Sequence, residues 1–379
     1  MSEIIIKTVD DEVDKMRFIK FPWEIYKGDD NWVPPLIYDV RKNLDKQRNP
    51  FYKHAKTQLF LALDGKTIVG RIAAIINDNH NLKYNDKVGF FGYFECINSK
   101  EVSVLLFDAA KNWLLENGMD TMRGPINLSI NDEIGLLIEG FGIPPVLLMT
   151  YNPQYYIKLM EDYGFVKAKD LYAYMFTEEA AKSNVKSMEK LDRISQMVLK
   201  RENLSIRKIV LKNLEEELLK VMHIYNNAWV DNWGSVKMNE DEFRYIAASL
   251  KALVDEDIVF FAESNGEPVG FSLSLPDYNQ IFKKINGKLF PFGAFKILTG
   301  RKKINSIRVM IMGILPKFQK KGIEAVFIND TIQKGTAKGY KSAEISWVLE
   351  DNIPMVQTAV NLGAEKYKTY RIYDKTIVY

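Results

Sequence analysis

The residue types best placed to do chemistry lie together in Gln319-Lys320-Lys321-Gly322-Ile323-Glu324, between an apolar run that ends at Ile314 and an amphipathic run that starts at Ile323. The patterning predicts a strand over Ile307–Ile314, a turn at Pro316 and a helix over Ile323–Lys338. The first amides of a helix have no partner within it and point outward, so a helix start of this kind is an anion site. Gly322 lets backbone approach a phosphate closely, and Lys317, Lys320 and Lys321 add positive charge to the same turn. A pyrophosphate is the ligand such a turn suits. Glu324 is expected to point away from that anion or to pair with a lysine; as an acid at a helix start it is favourable by about 0.3–1 kcal/mol.

Other chemistries find less support. The one cysteine, Cys96, lies in the mostly apolar run Phe90–Ile97 and reads as a core thiol, and a disulfide framework is excluded. His54, His80 and His223 are too far apart in sequence for metal-ligand spacing, so no metal site is expected. No nucleophile-elbow motif is present. A formal net charge of +3 over 379 residues gives no reason to expect nucleic acid as a partner. No apolar stretch reaches the roughly 18 residues needed to span a bilayer, and the expected location is cytoplasmic.

The elements that must position this turn are organised by an internal repeat. Thr57–Ile76 and Asp257–Leu275 each read as a hairpin, turning at Asp64-Gly65 and Asn265-Gly266 and resuming at Val69-Gly70 and Val269-Gly270. Asn152–Phe165 and Asn352–Ala364 share a second layout: an asparagine, a proline soon after, about three helical turns, and a closing glycine at Gly164 or Gly363. The chain therefore reads as a duplicated domain. The expected boundaries are 1–176 for the first copy, 177–203 for a linking helix with Val185, Met188, Leu191, Ile194 and Val198 on one face, and 204–379 for the second copy. Each copy has a mixed α/β (α+β) order, a central mixed sheet flanked by helices. In the second, the expected elements include strands Ile206–Val210 and Ser342–Trp347 and helix Ile353–Asn361.

The stretch Arg308–Tyr340 resembles the acyl-CoA motif of the GNAT superfamily, whose Gln/Arg-x-x-Gly-x-Gly/Ala core is met in part by Gln319–Glu324. Over the whole chain, NWG, LPDYN and RGPIN resemble segments of bacterial tandem-GNAT proteins. The resemblance implies N-acyl transfer from acetyl-CoA or another acyl-CoA to a small-molecule or peptide amine, at one site in the second copy. It implies cofactor contacts from Gly313, Ile314, Gln319, Lys320, Lys321, Gly322, Ile323 and Asn352, with the thioester carbonyl polarised by an amide at Ile314 or a neighbour. The family often protonates the leaving thiol with a tyrosine seven residues after the helix asparagine, and here that position is Ala359. Tyr370 and Tyr373 are the substitutes in sequence, and Asp277 is preferred as base over the strand carboxylates Glu263 and Glu344. Asn232, Trp233 and Asn279 are expected to border the acceptor.

The first copy has the corresponding strand, Val88–Ile97, but no glycine in the turn after it, so it reads as a degenerate partner. Its Gly-, Pro- and Asn-rich segment Arg123–Tyr151 has no counterpart and reads either as a loop-hairpin elaboration packing on the partner domain or as a wall of the acceptor site. The insertion Gln280–Asn305, which mixes lysines with phenylalanines, reads as a lid, a patch for an anionic acceptor or membrane surface, or an interdomain helix, with the lid or interdomain reading preferred. Two other classes remain open: a Fem-like aminoacyl-tRNA-dependent transferase, which also uses paired GNAT folds, and a non-catalytic CoA-binding or scaffold protein.

Overall fold

Among the described residues of the computed structural model, 3–378, strands form where the sequence alternates or runs apolar. In chain order they are β1 (Ile4–Thr8), β2 (Ala55–Asp64), β3 (Thr67–Asn77), β4 (Val88–Cys96), β5 (Thr121–Gly124), β6 (Leu136–Glu139) and β7 (Val166–Thr177). They continue as β8 (Leu204–Lys208), β9 (Val259–Ser264), β10 (Glu267–Pro276), β11 (Ser306–Ile314), β12 (Ser342–Leu349) and β13 (Glu365–Thr376). Both expected hairpins form, β2–β3 closing at Asp64↔Thr67 and β9–β10 at Glu267↔Ser264. Asn265 and Gly266 take φ of 53° and 84°, the left-handed pair that a two-residue hairpin turn demands.

The chain divides into two units. One holds the chain up to Leu171, Phe282–Ile297 and the chain from Lys368 onward; the other holds Tyr172–Ile281 and Leu298–Tyr367. In the first, β1 to β4 form an antiparallel meander, β4 runs parallel to β5, and β13 pairs antiparallel with β5 and β6. Helix Lys100–Glu116 packs on β2 and β3, with Leu106, Phe107, Ala110 and Leu114 wholly buried in a core shared with Phe91, Phe94 and Phe165.

The second unit repeats the order: β8 to β11 are antiparallel, β11 is parallel to β12, and Tyr172–Thr177 of β7 lies beside β12. Helix Ile323–Ala337 buries Ile323, Val326 and Phe327 against Phe260, Ala262 and Ile314. The expected linking helix is two helices, Glu178–Ser183 and Val185–Arg201, broken at Asn184, whose side chain donates to the Ala180 carbonyl (2.9 Å). The longer one packs on helix Ile323–Ala337, with Val198 in the same apolar cluster and Asp192 accepting from Asn329 and Gln333, both at 3.1 Å.

This division differs from the boundaries expected from sequence. The linking helices belong with the second unit, while Lys368–Thr376 of β13 serves the first. Pairing accounts for the second difference: Tyr373 sits opposite Gly124, Arg371 forks onto Asp170 (2.8 and 3.0 Å) and Asp374 accepts both nitrogens of Arg123 (2.7 Å). Segment Phe282–Ile297 likewise joins the first unit, where Asn286 accepts from the Trp23 indole (2.7 Å) and the Gly287 carbonyl accepts from the Ile37 amide (3.1 Å).

Candidate active site

The second unit contains an open fork in its sheet. β11 pairs in parallel with β12 from Ser306↔Ser342 to Val309↔Ile345 and, among the described residues, no further, while on its other edge it stays paired with β10 as far as Ile314. Its register with β10 slips between Leu273 and Ser274, leaving Met310 as a bulge. Met310–Gly313 thus presents strand backbone toward a gap with no strand opposite, and an extended ligand carrying amides can add there as a further strand does. Met310, Ile311 and Met312 are half-buried. Trp229, just past helix Leu214–Ala228, covers Gly313 so closely that a Cβ there would lie 2.6 Å from the indole.

At the open end of β11 the chain turns through Pro316–Phe318 into the lysine-rich loop. The Gln319 amide donates to the carbonyls of Ile314 (3.0 Å) and Ala228 (3.1 Å), tying the loop to the strand end and to helix Leu214–Ala228. Lys320 (φ 60°) and Gly322 (φ 88°) both take left-handed backbone, and Gly322 caps helix Ile323–Ala337 without a side-chain cap bond. The helix start therefore keeps amides for an anion, next to exposed Lys317 and Lys320. Lys321 is committed elsewhere: its ammonium pairs with Glu202 (3.0 Å), and Arg201 donates to its carbonyl (2.5 Å). Gly322 abuts the same helix, since a Cβ would stand 2.9 Å from Val198.

At the throat of the fork lies a buried polar cluster. Arg308 and Glu344 are register partners on β11 and β12, 2% and 0% exposed. Ser346 and Tyr367 donate their hydroxyls to the two oxygens of Glu344, and the Arg308 Nε donates to Ser346 (3.0 Å) and lies 4.0 Å from Glu344. Both carboxylate oxygens are occupied, and the cluster ties β11 to β12 one register pair before they part.

The first unit has the same fork, closed. β4 pairs with β5 only from Val88↔Thr121 to Phe90↔Arg123, and its register with β3 slips between Arg71 and Ala73. The chain after β5 then fills the slot: the Ile126 amide donates to Phe91 (2.8 Å) and the Asn127 side chain accepts from the Tyr93 amide (2.7 Å). A Cβ at Gly92 would collide with the Ile126 carbonyl. Nearby, Glu95 accepts from Tyr26 (3.0 Å) and Tyr156 (2.8 Å), with Arg71 at 3.7 Å. Burial pushes this carboxyl up to about 7, against the pull of Arg71. Cys96 beside it is a core thiol, pushed by burial up to about 12.

No protein-family profile matches the chain. It is 36% identical to a bacterial ceramide synthase of Caulobacter vibrioides over 387 aligned positions, which span 100% of this chain and 98% of that one. It is 34% identical to Protein YghO of Escherichia coli, covering 98% and 95% of the two chains. Among solved structures, a tandem GNAT protein from the clavulanic acid biosynthesis pathway matches 100% of this chain and 99% of its own, with a TM-score of 0.59 at 10% identity. The chain belongs to the tandem GNAT N-acyltransferases, the family of the ceramide synthase and YghO. The repeat, the mixed α/β architecture and the enzyme class expected from sequence are thereby established. The fold implies an acyl-CoA donor.

In this acyltransferase the second unit gathers Gly313, Ile314, Gln319, Lys320, Lys321, Gly322 and Ile323 at the open end of β11. Asn352 caps helix Ile353–Asn361 by accepting from the Met355 amide (3.3 Å). Asp277 is 6% exposed and accepts from the Asn279 amide (3.2 Å), Gln280 and Ser306 (both 3.4 Å), so it starts the helix Asn279–Ile285. Asn232 and Trp233 lie in the turn after Trp229, with the Asn232 amide bonded to the Trp229 carbonyl (3.0 Å). Tyr370 and Tyr373 are not brought to that loop within one unit: they are buried in the first, 0% and 1% exposed, and Tyr373 meets the Phe165 ring at 6.5 Å. Glu263 is held by Arg207 (2.6 Å). Arg308, Ser346, Arg201 and Glu202 carry no signal in the sequence that singles them out; the alternation along β11 and β12 is visible there, the partnership of Arg308 with Glu344 is not.

Proposed function

We propose that the enzyme acylates the amine of a long-chain amino alcohol with an acyl-CoA, forming a ceramide. What carries this reading is the 36% identity to a bacterial ceramide synthase across the full length of both chains. In the proposed reaction the amine nitrogen attacks the thioester carbonyl, the C–N bond forms, the C–S bond breaks and CoA leaves as the thiol, the amine proton going to sulfur. The donor is proposed to lie in the fork of the second unit, its pantetheine amides along Met310–Ile314 and its pyrophosphate on the amides from Gly322 to Glu324, with Lys317 and Lys320 beside it. An amide of β11 would polarise the thioester carbonyl, a preorganised donor worth about 3–4 kcal/mol. The open fork in one unit and the plugged fork in the other support a single donor site. The plugged fork and its buried Glu95 cluster leave the first unit as scaffold in this reading. Acetyl transfer to a small-molecule or peptide amine, the expectation from sequence, is the competing outcome.

The test is a competition. Purified protein is incubated with long-chain acyl-CoA and acetyl-CoA, together with sphinganine and a panel of polar amines, and products are identified by mass spectrometry. N-acylsphinganine as the dominant product is expected. Acetylated polar amines with no ceramide would overturn the assignment of the acceptor.

A further inference from the structure

The insertion Gln280–Asn305 carries Lys283, Lys284, Lys288, Lys296 and the run Arg301–Lys303, with no aspartate or glutamate, in a chain whose formal net charge is only +3. The remainder of the chain is therefore net acidic, and this segment carries cations only. All of these cations are exposed, and among the described residues none is recorded in an ion pair. Lys283 and Lys296 donate to the backbone carbonyls of Asp30 and Lys284, contacts that leave their charge uncompensated.

Between these cations stand large apolar side chains facing water: Phe290 is 81% exposed, Phe292 70%, Phe295 66% and, further along the same helix, Leu298 77%. Single exposed apolar residues are ordinary, but so many in one short segment are not. Their display is held in place. Phe282 and Ile285 anchor the helix before them in the interior, Asn286 and Gly287 are bonded to Trp23 and Ile37, and the Ala294 amide closes the loop onto Leu289 (2.8 Å). The segment thus holds these rings outward among lysines.

We propose that Phe290 and Phe292, together with the exposed Lys283, Lys284, Lys288 and Lys296 of the same segment, form a docking surface for an anionic lipid bilayer. Aromatic rings enter the boundary between headgroups and acyl chains, while lysines on the same segment meet anionic headgroups, and the two attractions add. Charge complementarity selects this partner: a second copy of the chain would set the same unpaired cations against each other. No helix of the described residues is long and apolar enough to cross a membrane; the proposed docking is through the surface of this segment alone. Docking of this kind does not depend on which amine the enzyme acylates.

Vesicle co-sedimentation of the full chain tests it. The wild type is expected to pellet with phosphatidylcholine vesicles containing about 30 mol% phosphatidylglycerol and to be released by salt. A Phe290→Ser/Phe292→Ser variant, checked for an unchanged circular dichroism spectrum and melting curve, is expected to lose about tenfold or more in partitioning. Lys288→Glu/Lys296→Glu should lose binding to anionic vesicles likewise. A wild type that stays in the supernatant, or a double-serine variant that pellets as the wild type does, would overturn the proposal. So would sedimentation velocity showing a vesicle-free dimer that the serine variant dissociates, which would make the patch a contact between copies.

Discussion

Gly322 serves two ends at the residue scale: its φ of 88° starts the helix Ile323–Ala337, and its missing side chain makes room for Val198. Gly322→Ala is therefore expected to cost about 1–3 kcal/mol in denaturant unfolding and to weaken acyl-CoA binding as well, while Gly322→Glu should abolish binding. Lys320 separates the two effects. It sits at φ 60°, which a side chain disfavours, so Lys320→Gly should leave stability unchanged or raise it by up to about 1 kcal/mol. The same change removes a cation from the turn proposed to hold the pyrophosphate and should weaken acyl-CoA binding in calorimetry; unchanged affinity would mean that the phosphates lie elsewhere. Glu95 gives a pH signature. Its carboxyl titrates at about 7 in the folded protein against an ordinary value of 4.5, so the native state holds a proton that the unfolded state has released between those values. Stability from this group is present below about pH 4.5 and is lost as pH rises through 7. Glu95→Gln should accordingly gain stability relative to the wild type between about pH 4.5 and 8, and a pH-independent difference between the two would contradict the titration.

At the scale of elements, the fork depends on the clamp one register pair before β11 and β12 part. Arg308 and Glu344 are buried together, so Arg308→Met or Glu344→Leu alone leaves an uncompensated charge and should cost about 3–5 kcal/mol in urea unfolding. The double variant should recover much of that loss, and additive losses would show that the pair is not coupled. Elements themselves were largely legible in the sequence, because their signals are local. Asn265-Gly266 specifies its own hairpin turn, Ile353–Asn361 carries its own asparagine cap and closing glycine, and Ile323–Ala337 announces its buried face by periodicity. Where the fork opens was not legible, because it is a place where pairing stops: nothing in Met310–Gly313 says that β12 departs after Ile345. Nor does Gly92 in the first unit reveal that Ile126 and Asn127 will fill the equivalent slot, since that contact is made across an irregular segment.

For the whole molecule, sequence order misleads at the C-terminus. The chain from Lys368 onward belongs to the first unit, where Tyr373 and Ile377 join the core that holds Phe91 and Phe107. Truncation after Tyr367 should therefore raise hydrogen exchange throughout Val88–Gly124, far away in sequence; unchanged protection there would contradict the division. The same method addresses the central claim, that one acyl-CoA site lies in the open fork of the second unit. Hydrogen–deuterium exchange of the wild type with and without a long-chain acyl-CoA should show new protection over Met310–Ile314 and Gln319–Ala325, with Val88–Val102 unchanged. Protection over Val88–Val102 in place of those segments would put the donor in the first unit and contradict that claim.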